Sequence, residues 1–325
     1  MSREPGTSVE ERSDGAKRHA VDFSRLEGQL DITVLKRTRI AVAGLGVGSS
    51  YVRNMARSGI GSFIIVDPDS VDRTNVATQA YSAEEIGLPK AQALAAELRR
   101  INPDIDVAAF ACRIEDLPEE AATSFWQADL IIAGTDAFEA QCYMNRKAVE
   151  SGTDTLFPGC YASCAGVELV GTFADVIAAG RGCWTCHTWR RHEAFAAGRT
   201  KEAPFYARHP WIGELANLQA GYHSVSLLHL RAGSQLPITR IAERFLTSPL
   251  LITRIDPGFY AGDNEMFSDL PEGYGALLSR HWGRDVPLGF VCPDCGSPSP
   301  ESLHGSSPHQ AANWSAVTQQ RESPA

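Results

Sequence analysis

Several features that would place a chain in another class are missing from this sequence of 325 residues. No apolar run approaches the ~20 residues that span a bilayer, and the polar first twenty residues lack the apolar segment of a secretory signal. The net charge is −9, without a basic run of the kind that binds nucleic acid or an anionic membrane. These absences predict a cytoplasmic protein that has neither a nucleic-acid nor a membrane partner.

The two ends of the chain differ in composition from its middle. Residues 1–20 are polar and charged, and residues 297–325 are rich in Ser, Pro, Gln and His, so neither end carries enough apolar surface to fold. We therefore expect two disordered tails around one folded region, residues 21–296. The whole chain is 43% apolar and 21% charged, as is usual for a globular protein.

Cysteine is absent between Cys186 and Cys292, and four of the eight cysteines form two C-x-x-C pairs. The pairs are Cys183 with Cys186 and Cys292 with Cys295. Two such pairs supply the four thiolates of a tetrahedral zinc site. The 105 residues between them (292 − 186 − 1) predict a zinc ion that staples the fold, rather than a compact zinc finger. A redox dithiol is the alternative, although it needs only one pair.

The most informative segment is residues 39–90. A β-branched run at residues 40–43 ends in a glycine-rich turn and passes into a helical stretch, and a second apolar run at residues 63–66 ends at Asp67. The glycines of the turn are Gly44, Gly46 and Gly48. Such glycines let a backbone approach phosphates, and an acid 23 residues later (67 − 44) accepts ribose hydroxyls. This order predicts a nucleotide-binding α/β unit but leaves NAD, FAD and ATP as alternatives.

Strands and helices continue to alternate after that unit. The periodicity predicts strands near residues 107–111, 130–133 and 155–157, and helices over residues 90–101, 119–126 and 138–151. Residues 167–173 alternate as an antiparallel strand does, residues 187–213 show little periodicity, and residues 214–231 form an amphipathic helix. We therefore predict an α/β fold with a doubly wound, Rossmann-like, mostly parallel sheet and a zinc-stapled antiparallel extension at its C-terminal end.

The residues from Asp67 onward resemble the ThiF/MoeB family, which includes HesA and the adenylating domains of ubiquitin-activating enzymes. That family has an acid-x-acid, an Asn, an Arg-Gln and then a Gly-x-x-Lys that opens a helix. The matching residues are Asp67, Asp69, Asn75, Gln79, Gly87 and Lys90, followed by Asn102-Pro103 and Thr135-Asp136. The resemblance covers roughly residues 21–296, makes residues 187–213 the crossover loop over the active site, and supports zinc at the two cysteine pairs.

The resemblance also implies what individual residues do. Asp136 holds Mg²⁺, Lys90 contacts the phosphates of ATP, Asn75 contacts phosphate or sugar, and Asp67 takes the ribose. The remaining nucleotide contacts are Gly44, Gly46, Gly48, Asp69 and Gln79. Thr78 stands where the family has an arginine, and Arg73 is the candidate substitute. Arg25 resembles a family arginine that reaches into the site of the partner subunit. The resemblance therefore implies a homodimer.

In the family, a carboxylate attacks the α-phosphate of ATP and yields an acyl adenylate. Because no cysteine lies between Cys186 and Cys292, we expect an external nucleophile to attack this adenylate. The sequence thus predicts an ATP-dependent adenylyltransferase acting on a peptide, a small molecule or a ubiquitin-like carrier, with a leaning to specialised metabolism. An activator of sulfur-carrier proteins, a non-catalytic peptide-binding relative and a nicotinamide oxidoreductase are the alternatives.

Overall fold

The computed structural model describes residues 20–161, 166–198, 209–255, 277–281, 286–287 and 289–299. Most of the two predicted tails lies outside these ranges, as do Cys164 and part of the predicted crossover loop.

An eight-stranded sheet organises the described residues. Its strands are β1 (Arg39–Ala43), β2 (Ser62–Val66), β3 (Asp106–Phe110), β4 (Leu130–Ala133), β5 (Thr155–Cys160), β6 (Gly166–Thr172), β7 (Leu250–Ile255) and β8 (Leu277–His281). Their order across the sheet is β3-β2-β1-β4-β5-β6-β7-β8. The strands from β3 to β5 pair in parallel, whereas β5 to β8 pair antiparallel. The predicted α/β fold with a mostly parallel sheet is therefore confirmed.

Helices cover both faces of the sheet. They are α1 (Ile32–Arg37), α2 (Gly48–Arg57), α3 (Arg73–Thr78), α4 (Lys90–Ile101), α5 (Glu119–Trp126), α6 (Phe138–Ser151), α7 (Ala174–Ala178), α8 (Trp184–His187), α9 (Trp189–Ala196), α10 (Pro210–Arg231) and α11 (Thr239–Thr247). Among the described residues, no helix is both long enough and apolar enough to cross a membrane.

Alternate side chains of the central strands enter two separate cores. Ile40 and Val42 of β1 pack in the core that contains residues of α2, α4 and α10, whereas Ala41 and Ala43 pack in the core that contains residues of α5 and α6. Because side chains of a strand point to opposite faces in turn, a continuous apolar run is buried on both sides. This is the doubly wound arrangement that the sequence predicts.

The strand order reverses at β1, because β2 and β3 lie on one side of β1 and the later strands β4 to β8 lie on the other. In open parallel sheets a crevice forms at such a point, outside the carboxyl ends of the strands, and nucleotides bind there. The glycine turn follows β1 and Asp136 follows β4. The topology therefore brings these two distant segments to one edge.

Three details of the predicted organisation differ from the structure. The segment predicted as an irregular crossover loop is partly helical, since α8 and α9 occupy much of residues 184–196, and α10 begins at Pro210 rather than near residue 214. Proline suits the first turn of a helix because the N–H that it lacks has no intrahelical partner there. Ordered structure also continues past residue 296, because Ser297 and Ser299 are buried.

Candidate active site

A cleft of about 940 Å³ opens at the carboxyl ends of the parallel strands. Residues that follow β1, β2, β4 and β5 line it, and Ala216 and Asn217 of α10 contribute to one wall. The predicted site residues that line this cleft are Gly44, Gly46, Gly48, Asp67, Asp69, Asn75, Gln79, Lys90 and Asp136. The fold thus brings together all the predicted nucleotide and magnesium residues except the two arginines.

The glycine turn comes very close to the loop that follows β4. Gly44 has φ +92°, and a Cβ atom at this residue would lie 2.5 Å from the carbonyl carbon of Gly134. No side chain fits at that distance, so glycine is required both by the space and by the left-handed backbone. The close approach of the two loops brings the turn and Asp136 to the same cleft.

The start of α2 offers backbone donors to this cleft. No side chain caps the helix at Val47, so its first N–H groups have no partner from a capping residue. The Val47 carbonyl accepts a hydrogen bond from Asn217 Nδ2 at 3.0 Å, and Ser50 Oγ donates to Glu214 at 2.9 Å. Helix α10 therefore holds the glycine turn in place, and an anion bound there would meet oriented N–H donors.

Asp67 has a structural role that its position in the sequence does not reveal. Its side chain is buried, and its two carboxylate oxygens accept hydrogen bonds from Leu45 N at 2.6 Å and from Asp69 N at 2.8 Å. Burial raises the pKa of Asp67, and the hydrogen bond from Leu45 acts in the opposite direction. The same carboxylate that lines the cleft thus also fixes the conformation of the glycine turn.

Two amide side chains reach the cleft from the segment after β2. Asn75 is buried and forms a capping box with Asp72, in which its Oδ1 accepts from Asp72 N at 3.0 Å. The Oε1 atom of Gln79 is buried and has no hydrogen-bond partner within the described ranges. An unpaired buried acceptor costs about 1–3 kcal/mol. Gln79 therefore fits a site whose ligand carries an N–H or O–H donor.

Lys90 and Asp136 bring opposite charges to the cleft. Lys90 begins α4, and its ammonium contacts Asp69 Oδ2 at 2.9 Å. The Lys90 side chain is only 7% exposed, whereas that of Asp69 is 65% exposed. The carboxylate of a surface residue therefore holds a buried amine in position. Asp136 is exposed and offers hard oxygen ligands. Magnesium is commonly bound by one or two carboxylates together with substrate phosphates, and Asp136 fits that chemistry.

Neither predicted arginine lines the cleft in the part of the chain that the structure describes. Arg25 is exposed in the short 3₁₀ turn Ser24–Leu26, and Arg73 is exposed at the start of α3. Thr78, which stands in place of the family arginine, donates its hydroxyl to Thr74 O at 2.9 Å. The role of Arg25 in a partner subunit and the phosphate contact of Arg73 stay predictions.

A polar cluster on the β5–β6 wall is not apparent from the sequence. Glu168 of β6 is 2% exposed, and its Oε1 contacts Arg191 Nη2 at 2.7 Å. Arg191 also donates to the Tyr161 hydroxyl at 2.8 Å, and that hydroxyl donates to the other oxygen of Glu168. We term these three residues the Arg191 cluster; all of them line the cleft. The feature of the sequence that could have indicated this cluster is Glu168, an acidic residue within a largely apolar strand.

The four paired cysteines meet in one place. The sulfur atoms of Cys183, Cys186, Cys292 and Cys295 all lie within 4.8 Å of one another, with 3.7 Å between Cys183 and Cys292 and 3.6 Å between Cys186 and Cys295. A tetrahedral zinc ion with Zn–S bonds of about 2.3 Å separates its sulfurs by about 3.8 Å. The donor set and its spacing therefore fit zinc.

A buried amide supports the cysteine cluster. Asn145 of α6 is fully buried, and its Nδ2 lies 3.4 Å from Cys183 Sγ and 2.8 Å from Asp294 Oδ2. Thr172 Oγ1 accepts from Trp184 N at 2.9 Å and donates to Asn145 Oδ1 at 2.8 Å. Because this hydroxyl supplies its proton to Oδ1, the amide is oriented with its NH₂ group toward the sulfur and the carboxylate.

Comparison with known proteins places this geometry in a family. Residues 17–252 match the model of the ThiF family. Adenylyltransferase and sulfurtransferase UBA4 of Yarrowia lipolytica is 33% identical over 128 residues, which are 39% of this chain and 31% of that protein. Sulfur carrier protein ThiS adenylyltransferase of Bacillus subtilis is 31% identical over 133 residues, which are 40% of this chain and 39% of that protein. The chain thus spans about a third to two fifths of these relatives.

Solved structures show the same fold. Escherichia coli MccB with ATP has a TM-score of 0.55 and 19% identity, over 82% of this chain and 68% of that chain. The same enzyme with AMPCPP and MccA has a TM-score of 0.56 over the same shares. At this identity the likeness establishes the fold alone, whereas the family match covers well over half of the sequence. The chain belongs to the ThiF family.

Proposed function

We propose that this protein is an ATP-dependent adenylyltransferase that activates a carboxylate as an acyl adenylate. The observation that carries the proposal is the placement of the glycine turn, Lys90 and Asp136 around one cleft. A dinucleotide site explains the turn and Asp67 but gives no role to the buried amine of Lys90 or to the exposed carboxylate of Asp136, which line the same cleft. Phosphate chemistry needs both, because the amine offsets negative charge on oxygen and the carboxylate binds a metal ion.

Adenylation joins two anions. A carboxylate oxygen of the substrate forms a bond to the α-phosphorus of ATP, the bond from that phosphorus to the β-bridging oxygen breaks, and pyrophosphate leaves with the electron pair. Lys90 and the N–H groups at the start of α2 offset charge on the phosphate oxygens, and the cleft holds both reactants in line. Asp136 is the residue that holds magnesium, which supplies further positive charge to the phosphates when bound.

The substrate belongs to one of three classes: a peptide, a small-molecule acid, or the C-terminus of a ubiquitin-like or sulfur-carrier protein. Relatives named for sulfur carriers support the last class, and the absence of a cysteine between Cys186 and Cys292 supports the first two. The acyl adenylate is attacked by an external nucleophile. Cys160 lines the cleft, with its sulfur 3.8 Å from the Ile212 carbonyl, and serves packing in this proposal.

Two structural proposals accompany this function. The four clustered cysteines hold a zinc ion that joins the C-terminal segment to the end of the sheet and takes no part in the chemistry. The protein also works as a homodimer, as the resemblance implies. An apolar face of α10 supports the dimer, because Trp211, Leu218 and Tyr222 are 75%, 56% and 53% exposed at helical spacing.

Pyrophosphate exchange tests the function. The protein is incubated with ATP, magnesium, labelled pyrophosphate and one candidate carboxylate at a time: short peptides, small-molecule acids, and carrier proteins that end in Gly-Gly. We expect label to enter ATP only when a suitable carboxylate is present. Binding of peptides without any exchange points to the non-catalytic alternative, and turnover of NADH instead of ATP points to the oxidoreductase.

A further inference from the structure

We propose that Arg191 binds the substrate carboxylate before adenylation and contacts the acyl carbonyl afterwards. Glu168 and Tyr161 are the positioning residues that hold its guanidinium. This inference rests on the proposed function and assigns the acyl half of the site, to which the sequence motifs give no residue.

The topology places the Arg191 cluster on the acyl side of the cleft. Glu168 of β6 pairs with Gly159 of β5, and β5 separates β6 from β4. At about 4.8 Å per strand, Glu168 lies about 10 Å across the sheet from β4 and about 14 Å from β1. Asp136 follows β4 and the glycine turn follows β1. A nucleotide whose phosphates lie between the turn and Asp136 therefore presents its α-phosphate to a carboxylate that arrives from the β5–β6 wall.

Charge and burial distinguish Arg191 from the other cations of the cleft. Among the described residues, the cations that line it are Lys90, Arg113 and Arg191. Lys90 contacts Asp69 at the nucleotide end, and the Arg113 side chain is 64% exposed. The Arg191 side chain is 15% exposed and is fixed by a carboxylate that is itself 2% exposed. A cation that is already fixed in place loses little freedom when it binds a ligand.

The wall is shaped to accommodate this arrangement. A Cβ atom at residue 159 would lie 3.0 Å from Glu168 Cγ and 3.1 Å from Glu168 Oε1, so glycine leaves the space that the glutamate fills. The Arg191 guanidinium carbon also lies 5.5 Å from the centre of the Tyr161 ring. Arginine is suited to carboxylates because its planar group presents paired N–H donors. The first cysteine pair, Cys183 and Cys186, is followed directly by α9, which carries Arg191.

The chemistry requires such a group. The carboxylate and the α-phosphate are both negatively charged, and the motif residues supply cations only around the phosphates. The family arginine that Thr78 replaces is missing, and Arg73 does not line the cleft. Arg191, paired with Glu168, brings a guanidinium group to the side from which the second anion arrives.

Binding of two adenylate analogues tests the proposal without knowledge of the natural substrate. The probes are 5′-O-sulfamoyladenosine and 5′-O-(N-acetylsulfamoyl)adenosine, which differ in the acyl group that every acyl adenylate has and in the negative charge that acylation gives the sulfamate. Dissociation constants for both probes and for ATP are measured by calorimetry on the intact protein. We expect Arg191→Ala to weaken the acetylated probe by roughly 10- to 100-fold, as loss of a charged hydrogen bond does, while its affinity for ATP stays within about twofold.

Three further variants separate binding from folding. Arg191→Lys keeps the charge and should retain part of the preference for the acetylated probe. The double variant Arg191→Gln with Glu168→Gln removes both charges, so no buried charge is left unpaired, and should show the same selective loss as Arg191→Ala. Arg113→Ala, at the exposed cation of the same cleft, should leave the affinity of the acetylated probe unchanged.

Each other outcome has a distinct meaning. Equal loss of ATP and of the acetylated probe in the Arg191 variants would place Arg191 on the phosphates and overturn the proposal. An unchanged preference for the acetylated probe in a folded double variant would overturn it as well. If the unaltered protein binds neither ATP nor the acetylated probe, the proposed function itself is wrong and this assignment falls with it.

Discussion

Replacement of Asn145 should destabilise the protein and loosen the metal, although Asn145 lies outside the cleft lining. Its side chain is fully buried, with an Nδ2 contact of 2.8 Å to Asp294 and an accepted hydrogen bond of 2.8 Å from Thr172. Asn145→Ala removes one hydrogen bond to a charged group, from Nδ2 to Asp294, and two neutral hydrogen bonds, from Nδ2 to Thr185 Oγ1 at 3.1 Å and from Thr172 to Oδ1. At about 1.5–3 kcal/mol for the first and about 1 kcal/mol for each of the others, we expect a loss of about 3.5–5 kcal/mol in the free energy of unfolding.

Asn145→Asp provides a sharper test, because it keeps the size of the side chain and removes its donors. The new carboxylate would face Asp294 and the sulfur of Cys183, two groups of the same charge when zinc is bound. We therefore expect Asn145→Asp to lose at least as much stability as Asn145→Ala. Substitution of a residue that orients metal ligands typically lowers the affinity for the metal by about 10- to 100-fold. Both variants should therefore release zinc to a chelator faster than the unaltered protein.

Chemical denaturation and a colorimetric zinc-release assay measure the two effects. Asn54→Ala is the matched control, because Asn54 is exposed on α2, and surface changes of this kind stay within about 0.5 kcal/mol. If Asn145→Asp were as stable as the unaltered protein and kept its zinc, the hydrogen-bond network described here would not support the cysteine cluster.

The other predictions concern the metal, pH and assembly. Metal analysis should find about one zinc per chain, and Cys183→Ser should lower Tm and solubility more than it changes the chemistry of the folded fraction; a metal-free protein that stays folded and active in chelator would contradict this. Burial lowers the pKa of His192 from 6.5 to about 4, so protonation of this side chain is disfavoured in the folded state. The free energy of unfolding should therefore fall by about 3 kcal/mol as the pH drops from about 6.5 toward about 4. His192→Phe should remove this dependence of the unfolding free energy on pH. Mixing Arg25→Ala with Asp136→Ala protein should restore part of the pyrophosphate exchange through one intact hybrid site, whereas a monomer at working concentration would refute the dimer.

Local sequence patterns predict the sheet and the nucleotide end of the cleft. The apolar runs that become β1, β2 and β4 are buried on both faces, and such runs are readable because burial on both sides removes the polar alternation. The glycines follow β1 and Asp136 follows β4, and parallel strands bring those ends to one edge of the sheet. Lys90 begins α4 and does not follow a strand, so its place in the cleft was predicted only from the resemblance to the ThiF/MoeB family.

The remaining features depend on contacts between distant segments. Glu168 and Arg191 meet because β6 returns antiparallel beside β5 and α9 packs over that wall, and no local pattern reports this pairing. Asn145 lies in the middle of α6, where a polar residue predicts an exposed position. Its burial depends on the segment of the second cysteine pair, which is distant in sequence. Helix α9 follows the first cysteine pair, and its weak periodicity reflects aromatic packing of Trp189 and His192 rather than a simple apolar stripe.

The affinity for ATP with and without magnesium tests the central claim most directly. Calorimetric titration compares the unaltered protein, Asp136→Ala and Asp116→Ala, an exposed acid that does not line the cleft. If the cleft is a magnesium–ATP site held by Asp136, magnesium should tighten ATP binding in the unaltered protein and in Asp116→Ala but not in Asp136→Ala. An equal effect of magnesium in all three proteins, or binding of NADH in preference to ATP, would contradict the account.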